Sequence, residues 1–170
     1  MFKSIYVFDA YGTLFDVNSA ARIASAEPDF PELAAHWPAV AANWRRKQLE
    51  YTWLRAVSGR HADFEQVTKD GLDWTLEAAK LTSPALRERL LALYWELDAY
   101  PEVTAMLARL KAAGARTAIL SNGTPEMLAA AVTSAGITEY LDAVLSIESV
   151  GVYKPHDTVY DMVGQEFGCA

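Results

Sequence analysis

Ile5-Tyr6-Val7-Phe8 is an apolar run that ends in a carboxylate, Asp9, and passes at once into Ala10-Tyr11-Gly12-Thr13-Leu14. A strand covered on both faces, as in a parallel sheet, reads as an unbroken apolar run of this kind. Ligands of open α/β sheets bind beyond the carboxyl ends of the strands. Asp9 is therefore aimed into a candidate active site, where a carboxylate can act as a nucleophile. Thr13, on the turn that follows, is placed to bond that carboxylate or a ligand.

The strands that should accompany this first one, Ser4–Asp9, come much later. From about 18 to 100 the signals are helical. Asn18 or Ser19 caps a first helix, and Pro28 and Pro31 break the chain. Pro38 suits the first turn of a long helix that closes at Ser58-Gly59. Asp63-Phe64-Glu65-Gln66 resembles a capping box, and Ser83-Pro84 opens a fourth helix. Beyond Pro101 the pattern alternates: helix to Ala112, strand Arg116–Ser121, helix from Thr124-Pro125, strand Ala143–Ser146, helix Pro155–Phe167. Such alternation implies a parallel sheet. The expectation is an α/β core (1–15 and 100–170) carrying an inserted helical cap (16–99), with a ligand site in the cleft between them.

Bulk properties narrow the classes. With 52% hydrophobic and 22% charged residues the chain is globular, not disordered. A net charge of -7 argues against a nucleic-acid partner, although Arg45, Arg46 and Lys47 stand among Trp44, Tyr51 and Trp53. Helical spacing there suggests packed aromatics and solvated cations, with room for one arginine to hold an anion. One cysteine, Cys169, excludes an internal disulfide and suits a cytoplasmic protein. No apolar run reaches the ~18 residues that span a bilayer, so no membrane partner is expected.

Two more positions could carry chemistry. Ser121-Asn122-Gly123 ends the second core strand and precedes a helix N-terminus, where free amides favour an anion. Lys154 follows the third strand, and the proline after it restricts it to extended conformations that can project it toward a site.

In this order, Asp9, Ser121 and Lys154 resemble the first three motifs of the haloacid dehalogenase superfamily, over Phe8 to Phe167. Phosphatases of that superfamily carry a second aspartate two residues after the nucleophile, and here that position is Tyr11. Asp9-Ala10-Tyr11-Gly12-Thr13-Leu14-Phe15-Asp16, the segment Arg46 to Arg55, Leu120-Ser121-Asn122-Gly123 and Val152-Tyr153-Lys154-Pro155 are similar to the L-2-haloacid dehalogenases.

The resemblance implies a Rossmann-like parallel core with a helical-bundle cap. It implies hydrolysis of (S)-2-haloacids to (R)-2-hydroxy acids through an aspartyl ester, without metal or other cofactor, in a homodimer. Asp9 would attack the halogen-bearing carbon, and Lys154 would pair with it and orient it. Ser121 and the Asn122 amide would bind the substrate carboxylate, with Thr13 in support. Arg45 would face the leaving halide, and Tyr160 would support Lys154 or the surroundings of the nucleophile. Ala10, Tyr11, Leu49 and Phe64 would complete the substrate pocket. A halide leaves without a proton, so Tyr11 can stand where phosphatases need an acid.

The family's fourth motif, a later strand ending in Ser-x-Asn-x-x-Asp, is absent from these 170 residues. The expected core is therefore incomplete at its C-terminal end. The strand beside Ile5–Phe8 would be missing, leaving an apolar edge prone to association. The expectation is a truncated chain that is a poor dehalogenase and a poor monomer as it stands. The alternatives are a Mg2+-dependent phosphatase of the same superfamily and a non-catalytic truncated paralogue.

Overall fold

The computed structural model describes residues 4–169. Its elements run β1 (Ile5–Phe8), α1 (Ser19–Ala24), α2 (Trp37–Ser58), α3 (Phe64–Ala78), α4 (Pro84–Trp95), α5 (Val103–Ala112), β2 (Arg116–Ser121), α6 (Pro125–Ser134), β3 (Ala143–Ser146) and α7 (Asp157–Phe167). Short 3-10 turns sit at Pro31–Leu33, Thr138–Tyr140 and Ile147–Ser149. The chain divides into two compact units, Met1–Asp16 with Asp98–Ala170, and Val17–Leu97.

The first unit is an α/β layer structure. Its parallel sheet has the order β1-β2-β3. The central strand β2 is buried from Thr117 to Ser121, as its apolar sequence requires, while Tyr6 on β1 and Val144 on β3 stay exposed. Helices α5, α6 and α7 pack against β2 and β3. Phe8 pairs with Ile119 and Ser121 with Ser146, so the C-terminal ends of the strands lie side by side. The chain leaves β1 through a tight turn in which the Ala10 carbonyl accepts the N–H groups of Thr13, Leu14 and Phe15 at 3.2, 2.9 and 3.0 Å. Gly12, at φ 89°, supplies the left-handed conformation that a side chain would resist. Asp16 N–H donates to Asp98 O at 2.8 Å and Tyr100 N–H to Leu14 O at 3.0 Å, so the two strands that enter and leave the second unit are paired.

The second unit is helical. Val40, Ala41, Trp44, Gln48 and Thr52 form the buried stripe of α2 at helical spacing. Gly71 on α3 lets the two helices approach: a Cβ there would stand 3.4 Å from Gln48 N and 3.5 Å from Trp44 Cδ1. The polar atoms in this core are satisfied. Trp44 Nε1 donates to Thr68 O at 2.8 Å, Gln48 Nε2 to Thr68 Oγ1 at 2.9 Å, and Tyr94 OH to Gln48 Oε1 at 3.1 Å.

Two expectations change in this unit. Asp63 caps α3 by accepting Gln66 N–H at 2.7 Å, but the Gln66 side chain turns forward to Asp70 at 2.7 Å. Only half of the capping box forms, because a carboxylate one turn ahead competes for the amide. On α2, Trp44 is buried as its spacing suggests, whereas Trp53, Leu54 and Val57 remain exposed at 53%, 58% and 90%. Lys47 lies over the Trp74 ring, 4.3 Å from its centroid, and pairs with Glu50, while Arg55 pairs with Asp70. No described helix is long and apolar enough to cross a membrane.

Candidate active site

The site grows from the C-terminal ends of β1 and β2. Asp9 follows the last residue of β1, and the sheet register brings it level with Leu120. Lys154, on the segment after β3, reaches across: its Nζ donates to Asp9 Oδ1 at 2.9 Å and to the Leu120 carbonyl. A side chain from the far end of the chain is thus fixed on the nucleophile candidate by two acceptors on two adjacent strands. The Lys154 side chain is 19% exposed and that of Asp9 39%. Among the described residues, Lys154 is the only hydrogen-bond partner of the Asp9 carboxylate, and it engages Oδ1 alone. Oδ2 accepts no hydrogen bond from the described residues.

The Lys154 segment is anchored a second time. Lys154 N–H donates to Asn122 Oδ1 at 3.2 Å. Because the donor is a backbone N–H, the Asn122 side chain must present its oxygen there. Ser121-Asn122-Gly123 is a turn between β2 and α6. Within it Ser121 Oγ accepts Gly123 N–H at 3.1 Å, and Thr124 Oγ1 caps α6 by accepting Met127 N–H at 3.2 Å. The Gly123 carbonyl accepts the Ser146 hydroxyl at 2.7 Å. The turn is crowded: a Cβ on Gly123 would fall 2.8 Å from Tyr11 Cε2 and 3.1 Å from Leu128. Glycine is required by that approach.

Tyr11 is 2% exposed, and its ring lies 6.2 Å from that of Phe15. Two residues after Asp9 the chain thus carries a buried aromatic side chain and not a carboxylate. Ala10 is fully buried, with its carbonyl committed to the turn.

The candidate residues thus fall into groups. Asp9, Lys154, Ser121, Asn122, Ala10 and Tyr11 belong to one connected set of turns in the α/β unit. Thr13 stays exposed on the turn after Ala10, and its hydroxyl makes no hydrogen bond to Asp9. Tyr160 is 49% exposed in the first turns of α7, borders a surface groove with Asp161, Gly164 and Cys169, and makes no hydrogen bond to Lys154. Arg45 and Leu49 belong to the helical unit, one turn apart and half-buried on α2; Phe64, also of that unit, is 2% exposed at the start of α3. Sequence reasoning missed the Asn122 side chain as an anchor for Lys154, the Leu120 carbonyl as its second acceptor, and Ser146. A serine at the end of β3 gave no signal until the register placed it beside Ser121.

The chain matches known proteins along almost its whole length. The family model described as haloacid dehalogenase-like hydrolase matches residues 3–170. The chain is 44% identical over 164 residues to (S)-2-haloacid dehalogenase 1 of Pseudomonas sp. (strain CBS-3), covering 96% of this chain and 68% of that protein. It is 43% identical over 169 residues to the (S)-2-haloacid dehalogenase of Xanthobacter autotrophicus, covering 99% of this chain and 64% of the relative. The chain thus spans about two thirds of the length of these relatives. Among solved structures, the L-2-haloacid dehalogenase of Xanthobacter autotrophicus with chloropropionic acid covalently bound superposes with a TM-score of 0.85 at 40% identity, covering 99% of this chain and 66% of that one.

Proposed function

The chain belongs to the haloacid dehalogenase-like hydrolases, and from that premise we propose that it hydrolyses (S)-2-haloalkanoic acids to (R)-2-hydroxy acids through an ester on Asp9. The observation that carries the reading is the Lys154 ammonium on Asp9 Oδ1, with Oδ2 open and an aromatic residue, Tyr11, where a phosphatase would hold its acid. Oδ2 attacks the carbon that bears the halogen, from the side opposite the carbon–halogen bond. The bond breaks with inversion and the halide leaves with the electron pair. Water then adds to the ester carbonyl, and cleavage of the acyl C–O bond restores Asp9 and releases the hydroxy acid. Ser121 and the Asn122 amide bind the substrate carboxylate beside the N-terminus of α6, where peptide dipoles favour an anion. Arg45 receives the developing halide charge. The same reading assigns Ala10, Tyr11, Leu49 and Phe64 to recognition of the alkyl group, while Thr13 and Tyr160, which make no hydrogen bond to Asp9 or Lys154, stand outside the contacts that support it.

In this reading no metal takes part, because neither a leaving alkoxide nor a phosphate dianion has to be neutralised. A cytoplasmic setting agrees with the single free thiol, Cys169. Assembly with a second copy agrees with the exposed Trp53, Leu54 and Val57 on α2.

Single turnover of (S)-2-chloropropionate by excess protein in H2-18O tests the central step. The first product molecule should carry an unlabelled oxygen from Asp9, and label should appear in the product only in later turnovers. Full solvent label in the first turnover rejects the ester route. Halide release that survives chelation supports the metal-free reading, and rescue of lost activity by Mg2+ rejects it.

A further inference from the structure

Ser121 and Ser146 are register partners at the C-terminal ends of β2 and β3. Ser146 Oγ accepts Glu148 N–H at 3.2 Å and so caps the turn Ile147–Ser149. A serine hydroxyl has one proton to give, and that of Ser146 goes to the Gly123 carbonyl at 2.7 Å, on the neighbouring turn. Gly123 N–H in turn donates to Ser121 Oγ at 3.1 Å. Gly123 is therefore held from both sides, by a hydroxyl on its carbonyl and a hydroxyl on its amide, with Tyr11 and Leu128 closing the space a Cβ would take.

The consequence falls on Ser121. Its oxygen already accepts one N–H, so its own proton is turned away from Gly123. That proton meets no acceptor among the described residues, and Ser121 is fully buried. A buried donor without an acceptor costs free energy, which an arriving carboxylate oxygen relieves. We propose that Ser146 is a positioning residue for the substrate carboxylate: by fixing Gly123 it orients Ser121 as a donor to the anion. This rests on the reading of Ser121 as part of the carboxylate site.

The test compares the 170-residue protein with its Ser146→Ala and Ser146→Thr variants. Amide exchange at Gly123 reports the clamp, propionate titration followed by NMR reports the carboxylate site without chemistry, and steady-state kinetics with (S)-2-chloropropionate report the reaction. Ser146→Ala should speed exchange at Gly123, weaken propionate binding about tenfold and raise KM by a similar factor with kcat nearly kept. Ser146→Thr, which retains donor and acceptor, should restore all three. Unchanged exchange at Gly123 overturns the proposal. So does faster exchange with unchanged propionate affinity, which would leave Ser146 as a cap of its own turn only. A wild-type protein that binds propionate but turns over no haloacid rejects the function proposed above. The exchange and propionate measurements still decide the role of Ser146.

Discussion

At the scale of single residues, one ammonium organises the site. Lys154 Nζ joins the ends of β1 and β2 through Asp9 Oδ1 and the Leu120 carbonyl. Lys154→Ala removes the ammonium from the carboxylate proposed as nucleophile rather than a packed core group. Turnover of 2-chloropropionate is expected to fall by about 10²–10³, with an unchanged circular dichroism spectrum. Near-normal halide release from a folded variant would remove Lys154 from the machinery. Asp9, Ser121 and Lys154 are legible in the sequence as candidates because Asp9 closes β1, Ser121 ends β2 and Lys154 comes after β3, and strand ends are where such a sheet binds ligands. Ser146 was not legible, since its partner lies 23 positions away and depends on the register of two strands. Nor could Asn122 be foreseen as the acceptor for Lys154 N–H, because that contact exists only once the segment after β3 has folded back.

At the scale of elements, β2 and β3 take the bounds that the sequence suggests, Arg116–Ser121 and Ala143–Ser146. The turn glycines Gly59, Gly114, Gly136 and Gly168 all take positive φ. What sequence could not supply was competition between side chains: Gln66 satisfies Asp70 and leaves the capping box half formed. A comparable polar link joins the start of β2 to the approach to β3. Asp142 accepts Thr117 N–H at 2.7 Å and Lys111 Nζ at 2.8 Å. The Lys111 bond first, and the Thr117 amide second, hold its carboxyl below the usual carboxylate range. A lowered folded-state pKa stabilises the fold above the unfolded value and loses that contribution as the pH falls through the folded value. Asp142→Ala should therefore cost about 1–3 kcal/mol at neutral pH. The gap to wild type should close below about pH 4. Urea denaturation at neutral and acid pH measures both; a gap independent of pH would show that the carboxylate charge is irrelevant.

At the scale of the molecule, the sheet order leaves β1 paired on one side only among the described residues. Its sequence is apolar and Tyr6 is 44% exposed. An open apolar edge is a template for pairing with another chain, and lysine on such an edge discourages it. The protein of 170 residues is expected to associate as its concentration rises, and Tyr6→Lys to shift it toward monomer. Light scattering across a concentration series decides the matter; two identical monomers would show that the edge is already protected. The edge position of β1 could be anticipated only through the family resemblance, because strand order is not written in any local pattern.

The paired segments at Leu14–Asp16 and Asp98–Tyr100 bring the two ends of the helical unit together at a hydrogen-bonded crossing, with Phe15 and Ala99 bridged. The helical unit is thus a cassette whose removal need leave only a short gap. A protein in which a few glycines and serines join Asp16 to Asp98 should retain the parallel sheet, seen as preserved exchange protection along β2. Loss of that protection would show that the sheet depends on the cassette. If the sheet survives, one contiguous stretch of gene can be exchanged or removed without touching β1, β2, β3 or the turns that hold Asp9, Ser121 and Lys154. Recombination at a single pair of breakpoints would then be enough to graft a different helical unit onto the same sheet.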